Sequence, residues 1–236
     1  MPRRTKTQSL GQHFLADRKV LAKIIDASAV GRDETVCEAG IGSGILTAEL
    51  CKYAKKVVSY EVDRALYARA KAALVFPNLQ LVNADLFKAS AESDVFVSNL
   101  PYSRSRDALE WLAIQKFSRA VVMVQKEFAG KLLARPGDEN YRAVSVIASH
   151  CFSIEPLFDV GRDCFEPPPK VESVVIRLVP KNTVTKEIIK KVNRLFSQRN
   201  KKASTMSARL GAAKDYGDKR VDQLAPAEIV ALAERI

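Results

Sequence analysis

The chain has 236 residues and is 47% hydrophobic, enough to bury one full core and leave residues for a small appendage. No run approaches the roughly 20 apolar residues of a bilayer span, and Met1-Pro2-Arg3-Arg4-Thr5-Lys6 leads into no apolar signal core, so a soluble, cytoplasmic protein is expected. Lys and Arg total 38 against 27 Asp and Glu, a formal net charge of +11 that favours a polyanionic partner over a membrane.

In chain order, an amphipathic helix over Asp17 to Val30, with Asp17 as N-cap, precedes an apolar strand Thr35-Val36-Cys37-Glu38. The strand runs into Gly40-Ile41-Gly42-Ser43-Gly44, and helical spacing resumes from Ile45 to Ala54. A strand Lys56 to Glu61, a helix Asp63 to Leu74 and a strand Leu79 to Asn83 follow, then strands Asp94 to Ser98 and Ala120 to Gln125. Strands separated by helices of this length predict an α/β fold, a parallel doubly wound (Rossmann-like) sheet with helices on both faces. Two late β-rich runs, Phe152 to Val160 and Val171 to Val179, flank Pro167-Pro168-Pro169 and predict an antiparallel edge. Pro180 to Thr183 reads as a linker, so the division expected is a catalytic domain over 1–180 and a small helical domain over 181–236. Residues 181 to 202 carry Lys181, Lys186, Lys190, Lys191, Arg194, Arg199, Lys201 and Lys202 against the single acid Glu187, a pattern suited to a phosphate-facing surface.

Gly40-x-Gly42-x-Gly44 after a strand lets backbone turn sharply and approach a ligand closely, although a purely structural glycine turn has the same appearance. Glu61, at the end of the second strand, is placed to accept both hydroxyls of a ribose, and Asp85, after the third, to accept from an adenine amino group. These strand ends converge on the crevice where open parallel sheets bind ligands, which marks a nucleoside cofactor without separating a dinucleotide from S-adenosylmethionine.

The fourth strand ends in Asn99-Leu100-Pro101-Tyr102. An adenine N6 lone pair is delocalised into its ring, so attack on a methyl sulfonium requires that pair to be localised on nitrogen. Two acceptors aimed at the N6 hydrogens accomplish this, here the Asn99 side-chain oxygen and the Leu100 carbonyl ahead of Pro101. Tyr102 then stacks on the extruded base, returning roughly 1–3 kcal/mol against an extrusion cost of a few. The competing reading, a stiff turn with Tyr102 packed on the core, loses ground because the tetrapeptide follows three cofactor-type strand ends.

The four cysteines, Cys37, Cys51, Cys151 and Cys164, form no C-x-x-C pair, and only His13 and His150 are available beside them, so reduced thiols and no metal are expected.

These motifs together resemble the small-subunit rRNA adenine N6,N6-dimethyltransferase family, the KsgA-type dimethyladenosine transferases. The likeness runs through Gln12-His13-Phe14-Leu15, Glu38 to Thr47, Glu61-Val62-Asp63, Asn99 to Tyr102, Val124 to Ala129 and Phe165-Glu166-Pro167-Pro168-Pro169-Lys170-Val171-Glu172-Ser173. It implies a class I S-adenosylmethionine-dependent methyltransferase that dimethylates two adjacent adenosines in a hairpin near the 3′ end of small-subunit rRNA, with a role in subunit maturation. It further implies cofactor contacts from His13, Leu15, Gly40, Glu61, Asp85 and Asn99, and a target held by Asn99, Leu100, Pro101 and Tyr102, with Phe165 as a second aromatic wall. It makes the C-terminal segment an rRNA-binding domain and the working form a monomer on a partly assembled subunit. His13 stands where many relatives carry Asn, and Ser103-Arg104-Ser105-Arg106-Asp107 departs from the usual continuation, leaving Arg104 and Arg106 to bind phosphate or face solvent.

Three rivals remain: an adenine methyltransferase acting on large-subunit rRNA, a DNA adenine methyltransferase, and a ribosome-assembly or transcription factor that keeps the fold without the chemistry. Leu100 and the proline-rich loop after Phe165 favour the small subunit. DNA enzymes of this kind typically open the tetrapeptide with Asp, and an intact Asn99 and Tyr102 argue against a non-catalytic factor.

Overall fold

A computed structural model describes residues 13–209 and 216–235; Gln12 and the basic run 1–6 lie outside the described residues. The chain separates into two compact units. The first gathers the chain to Ala108 with Gln115–Lys126 and Glu155–Val179, and the second gathers Leu109–Ile114, Glu127–Ile154 and the chain from Pro180. The last crossing between the units lies at Val179–Pro180, and the second unit also takes in Leu109–Ile114 and Glu127–Ile154, within the 1–180 division read from the sequence.

The first unit is built on a mixed sheet. Its strands are β2 (Thr35–Ala39), β3 (Lys56–Tyr60), β4 (Leu79–Val82), β5 (Val95–Asn99), β6 (Arg119–Gln125), β7 (Phe152–Val160) and β9 (Ser173–Pro180), in the order β4-β3-β2-β5-β6-β9-β7. β4, β3, β2, β5 and β6 run parallel, and β9 joins β6 antiparallel from Ala120 opposite Leu178 to Gln125 opposite Ser173. The two late β-rich runs, β9 and β7, therefore close one side of the sheet as the antiparallel edge read from the sequence, with β7 outermost. A separate two-stranded pairing joins β1 (Phe14–Leu15) to β8 (Phe165–Glu166).

Period-two alternation sends Val95 and Val97, and Val121 and Met123, to one face, where they meet Leu21, Ile24 and Ile25 of α1 (Arg18–Ser28) and Leu46 and Leu50 of α2 (Ile45–Tyr53). Helix α1 begins where the sequence places it, with the Asp17 carboxylate accepting the N–H groups of Lys19 at 2.7 Å and Val20 at 3.0 Å. Asp63 caps α3 (Arg64–Ala73) in the same way. The other sheet face is also buried, as Phe96 and Val122 show, in keeping with a doubly wound sheet.

In the second unit, α6 (Ala143–Cys151), α7 (Lys186–Phe196) and α9 (Pro226–Glu234) pack on one another. Helix α7 buries Ile189, Val192, Leu195 and Phe196 along one stripe. Tyr141, fully buried, meets the Phe196 ring edge-on at 5.5 Å and donates its hydroxyl to the Leu224 carbonyl at 3.1 Å. All four cysteines are free thiols, and burial pushes those of Cys37, Cys51 and Cys151 up to about 12. Among the described residues no helix is long and apolar enough to cross a membrane.

Candidate active site

A cavity of about 190 Å³ opens at the carboxyl ends of β2, β3, β4 and β5. A water needs some 10–15 Å³ on this measure, so the space suits a ligand of nucleoside size. Its walls include His13, Leu15, Gly40, Glu61, Asp85, Asn99, Leu100, Pro101 and Tyr102, nine of the residues singled out in the sequence.

The turn after β2 forms because Gly40 and Gly42 hold φ at 83° and 57°, a region side chains disfavour. The Gly40 N–H donates to the Tyr60 carbonyl at 2.7 Å, tying the turn to β3, and a Cβ on Gly42 would meet the Phe14 ring at 3.1 Å. Glu61 is only 4% exposed. Its carboxylate accepts the Asp63 N–H at 2.9 Å and the Gly42 N–H at 3.4 Å, bonds that aim it while leaving acceptor positions for a diol. Glu38, also in the cavity wall, accepts the Thr47 and Ser59 hydroxyls on one oxygen, both at 2.6 Å. Burial pushes Glu38 up to about 7, against the pull of those two hydroxyls.

At the end of β5 the Asn99 amide donates to the His13 carbonyl at 3.4 Å, which assigns its nitrogen to that side and leaves its oxygen as an acceptor. The Leu100 N–H is spent on the Met123 carbonyl at 3.2 Å, and Pro101 has none. The His13 Nδ1–H donates to the Pro167 carbonyl at 2.8 Å, since a carbonyl only accepts; this fixes the tautomer and ties the pocket's first wall to the proline-rich loop. The rings of His13 and Tyr102 lie 5.6 Å apart, tilted by 34°.

Phe165, expected as a second aromatic wall, is placed elsewhere: its ring is 3% exposed and belongs to the apolar core. In the β1–β8 register Phe165 sits opposite Leu15 and both belong to the apolar core, Leu15 also reaching the cavity while Phe165 does not, and Phe14, opposite the exposed Glu166, lines the cavity. Aromatic surface in the wall comes from Phe14, Tyr60, Phe87 and Tyr102.

Two participants had no definite role assigned from the sequence. The buried Ser173 hydroxyl lies 2.6 Å from the Tyr102 hydroxyl, so the last residue of the proline-rich motif fixes the tyrosine; that motif was its one visible signal. Burial raises the Tyr102 phenol above its ordinary value, opposed by the bond to Ser173. Arg104, left open between phosphate and solvent, lines the cavity and is paired with Asp85 at 3.1 Å and Asp107 at 2.7 Å.

A family described as ribosomal RNA adenine dimethylase matches residues 3–235. A ribosomal RNA small subunit methyltransferase A of Thermotoga maritima is 34% identical over 233 residues, covering 96% of this chain and 84% of its own. Among solved structures, a dimethyladenosine transferase from Plasmodium falciparum superposes with a TM-score of 0.75 at 26% identity, covering 93% of this chain and 96% of its own. The 23S rRNA methyltransferase ErmE follows at a TM-score of 0.62 and 26% identity, covering 94% and 98%.

Proposed function

The chain belongs to the ribosomal RNA adenine dimethylase family, and from that premise we propose how its own residues perform the reaction. It is an rRNA adenine N6-methyltransferase that dimethylates adenosines of small-subunit rRNA. S-adenosylmethionine, when bound, supplies the methyl group as a sulfonium.

The wall chemistry fits that cofactor: a glycine turn admits backbone close to the ligand, Glu61 offers acceptors for ribose hydroxyls, and Asp85 offers acceptors for an adenine amine. His13, Leu15, Gly40 and Asn99 complete this part of the site. The observation that carries the mechanism is the orientation of Asn99. With its amide committed to the His13 carbonyl, the side-chain oxygen is the end left to accept an N6–H of the target. The Leu100 carbonyl supplies the second acceptor, in a stretch whose own N–H donors are spent or absent. Two acceptors on one amine draw its lone pair out of conjugation without a strong base. Tyr102, pinned by Ser173, presents its ring for stacking on the flipped base.

The nucleotides modified are two adjacent adenosines in the 3′-terminal hairpin of the small-subunit rRNA. The acceptor is a partly assembled subunit, met in the cytoplasm by a monomer. RNA backbone contacts fall to the exposed lysines and arginines of the C-terminal segment, among them Lys186, Lys190 and Arg194 on the polar side of α7.

Labelled methyl transfer to unmethylated small subunits, naked rRNA and DNA, with mass spectrometry of the nucleosides, tests this reading. N6,N6-dimethyladenosine confined to subunit RNA is the expected result. Tight subunit binding without transfer would instead assign the chain to the non-catalytic assembly factors.

A further inference from the structure

Directly after the tetrapeptide, the short turn Tyr102–Arg104 leads into α4 (Ser105–Leu112), and Arg104 ties this turn to the opposite wall of the cavity. One guanidinium nitrogen, Nη2, donates to both oxygens of Asp85 at 3.1 Å, and Nε donates to the Asp107 carboxylate at 2.7 Å. The guanidinium carbon also lies 5.0 Å from the centre of the Phe87 ring. The backbone N–H of Arg104 donates to the Pro101 carbonyl at 2.8 Å, which closes the turn. Asp85, Phe87 and Arg104 face one cavity, whereas Asp107 does not line it.

Asp85 is not saturated by this pairing. Its Oδ1 accepts the Phe87 N–H and the Arg104 bond, while Oδ2 takes the Arg104 bond with Lys88 Nζ at 4.0 Å. A carboxylate has about four lone-pair positions, so an amine donor can join Oδ2 without displacing the arginine.

We propose that Arg104 is a positioning residue that couples the cofactor end of the pocket to the loop holding the target base. The inference rests on the site reading above. An amine donating to Asp85 restricts that carboxylate, the carboxylate restricts Arg104, and Arg104 restricts the turn that carries Tyr102. Ordering is shared, so each ligand lowers what the other must spend on it. Cofactor and target RNA therefore bind with positive cooperativity, and linkage makes the effect reciprocal.

The test uses the full chain, S-adenosylhomocysteine and unmethylated small subunits. Calorimetry gives affinity for S-adenosylhomocysteine, and subunit binding is measured with and without it. The wild type is expected to bind subunits about five- to tenfold more tightly when S-adenosylhomocysteine is saturating. Arg104→Gln should reduce that enhancement to within about twofold and keep its melting temperature, a loss that a merely structural residue would not produce. Asp107→Asn, outside the cavity, should retain S-adenosylhomocysteine affinity and lose part of the enhancement. No enhancement in the wild type, or an undiminished one in Arg104→Gln, overturns the proposal. Failure of the underlying site reading has a different signature: S-adenosylhomocysteine would not bind the wild type, or Asp85→Ala would leave its affinity unchanged.

Discussion

Two carboxylate–arginine pairs stand at opposite ends of the same sheet, and they are built differently. Glu34, just ahead of β2, pairs with Arg119 at the start of β6; Asp85, just past β4, pairs with Arg104 past β5. Exposure hardly separates them, since the side chains are 21% and 20% exposed in the first pair and 20% and 30% in the second. Saturation does. Arg119 places all five of its N–H donors: two on Glu34, one each on the carbonyls of Ser28 and Ala29, and one on the Ser118 hydroxyl. Glu34 receives it as a fork and adds the Gly31 N–H, and the Arg119 bonds hold its carboxyl below the usual range. Arg104 reaches two side chains, Asp85 and Asp107, and shares one nitrogen between both Asp85 oxygens. A closed pair fixes backbone; an open one keeps capacity for a ligand.

The contrast is broken most severely at the open end by Asn99→Ala. Removing the acceptor for the target amine should lower kcat by about 10³-fold, the scale of losing one pre-organised group that acts in the transition state. Subunit binding should be largely spared, because phosphate contacts supply most of the affinity. Single-turnover kinetics alongside a subunit-binding titration checks both, and retained turnover would remove the proposed mechanism.

Glu38 sharpens the contrast, being an acid at the carboxyl end of β2 that has two hydroxyls on its carboxylate in place of an arginine fork. Its carboxyl rises from 4.5 to about 7 on folding, so the fold favours the protonated form. The stability this contributes is fully present below about pH 4.5 and is lost as pH rises through 7, a change of about 3 kcal/mol by pH 8. Glu38→Gln should abolish that part of the slope. Denaturant titrations of both proteins from pH 5 to 8 give the difference, and parallel curves would show that Glu38 ionises normally.

At the closed end Arg119→Ala should act on stability instead. Its partner is neither fully buried nor free in solvent, so the loss falls between the limits for the two cases, about 2 kcal/mol. Turnover per folded molecule should stay at the wild-type level. A thermal melt and an activity assay on the same sample decide it, and a fall in kcat with stability intact would erase the distinction between the two ends.

Most of this sheet was readable from the sequence because its signals are local. Asp17 and Asp63 announce helix starts, the glycine turn announces a close approach, and Glu61, Asp85 and Asn99 stand where strands end. What escaped depends on pairing across long stretches of chain. Phe14 and Leu15 are too few to show strand periodicity, and their partners Phe165 and Glu166 lie far along the sequence, so nothing indicated that Phe165 would turn into the core. Ser173 and Arg104 act through partners far along the chain or across the cavity, Tyr102 and Asp85, which spacing does not reveal. The second unit is assembled from three separate stretches, whereas a sequence is read as one continuous line.

The smallest change tests whether the open end extends to the tyrosine hydroxyl. Tyr102→Phe keeps the ring and removes the bond to Ser173, leaving a buried hydroxyl that must find another partner. The cost should be about 1 kcal/mol, read as a few-fold fall in kcat/KM as the ring loses its fixed orientation. Burial raises the phenol above its ordinary value, so Tyr102 stays protonated near neutral pH, and the pH–rate profile of the variant should overlay the wild type. A loss approaching that of Asn99→Ala, or a displaced profile, would mean that the hydroxyl takes part in handling the N6 proton, and Tyr102 would then be more than a stacking platform.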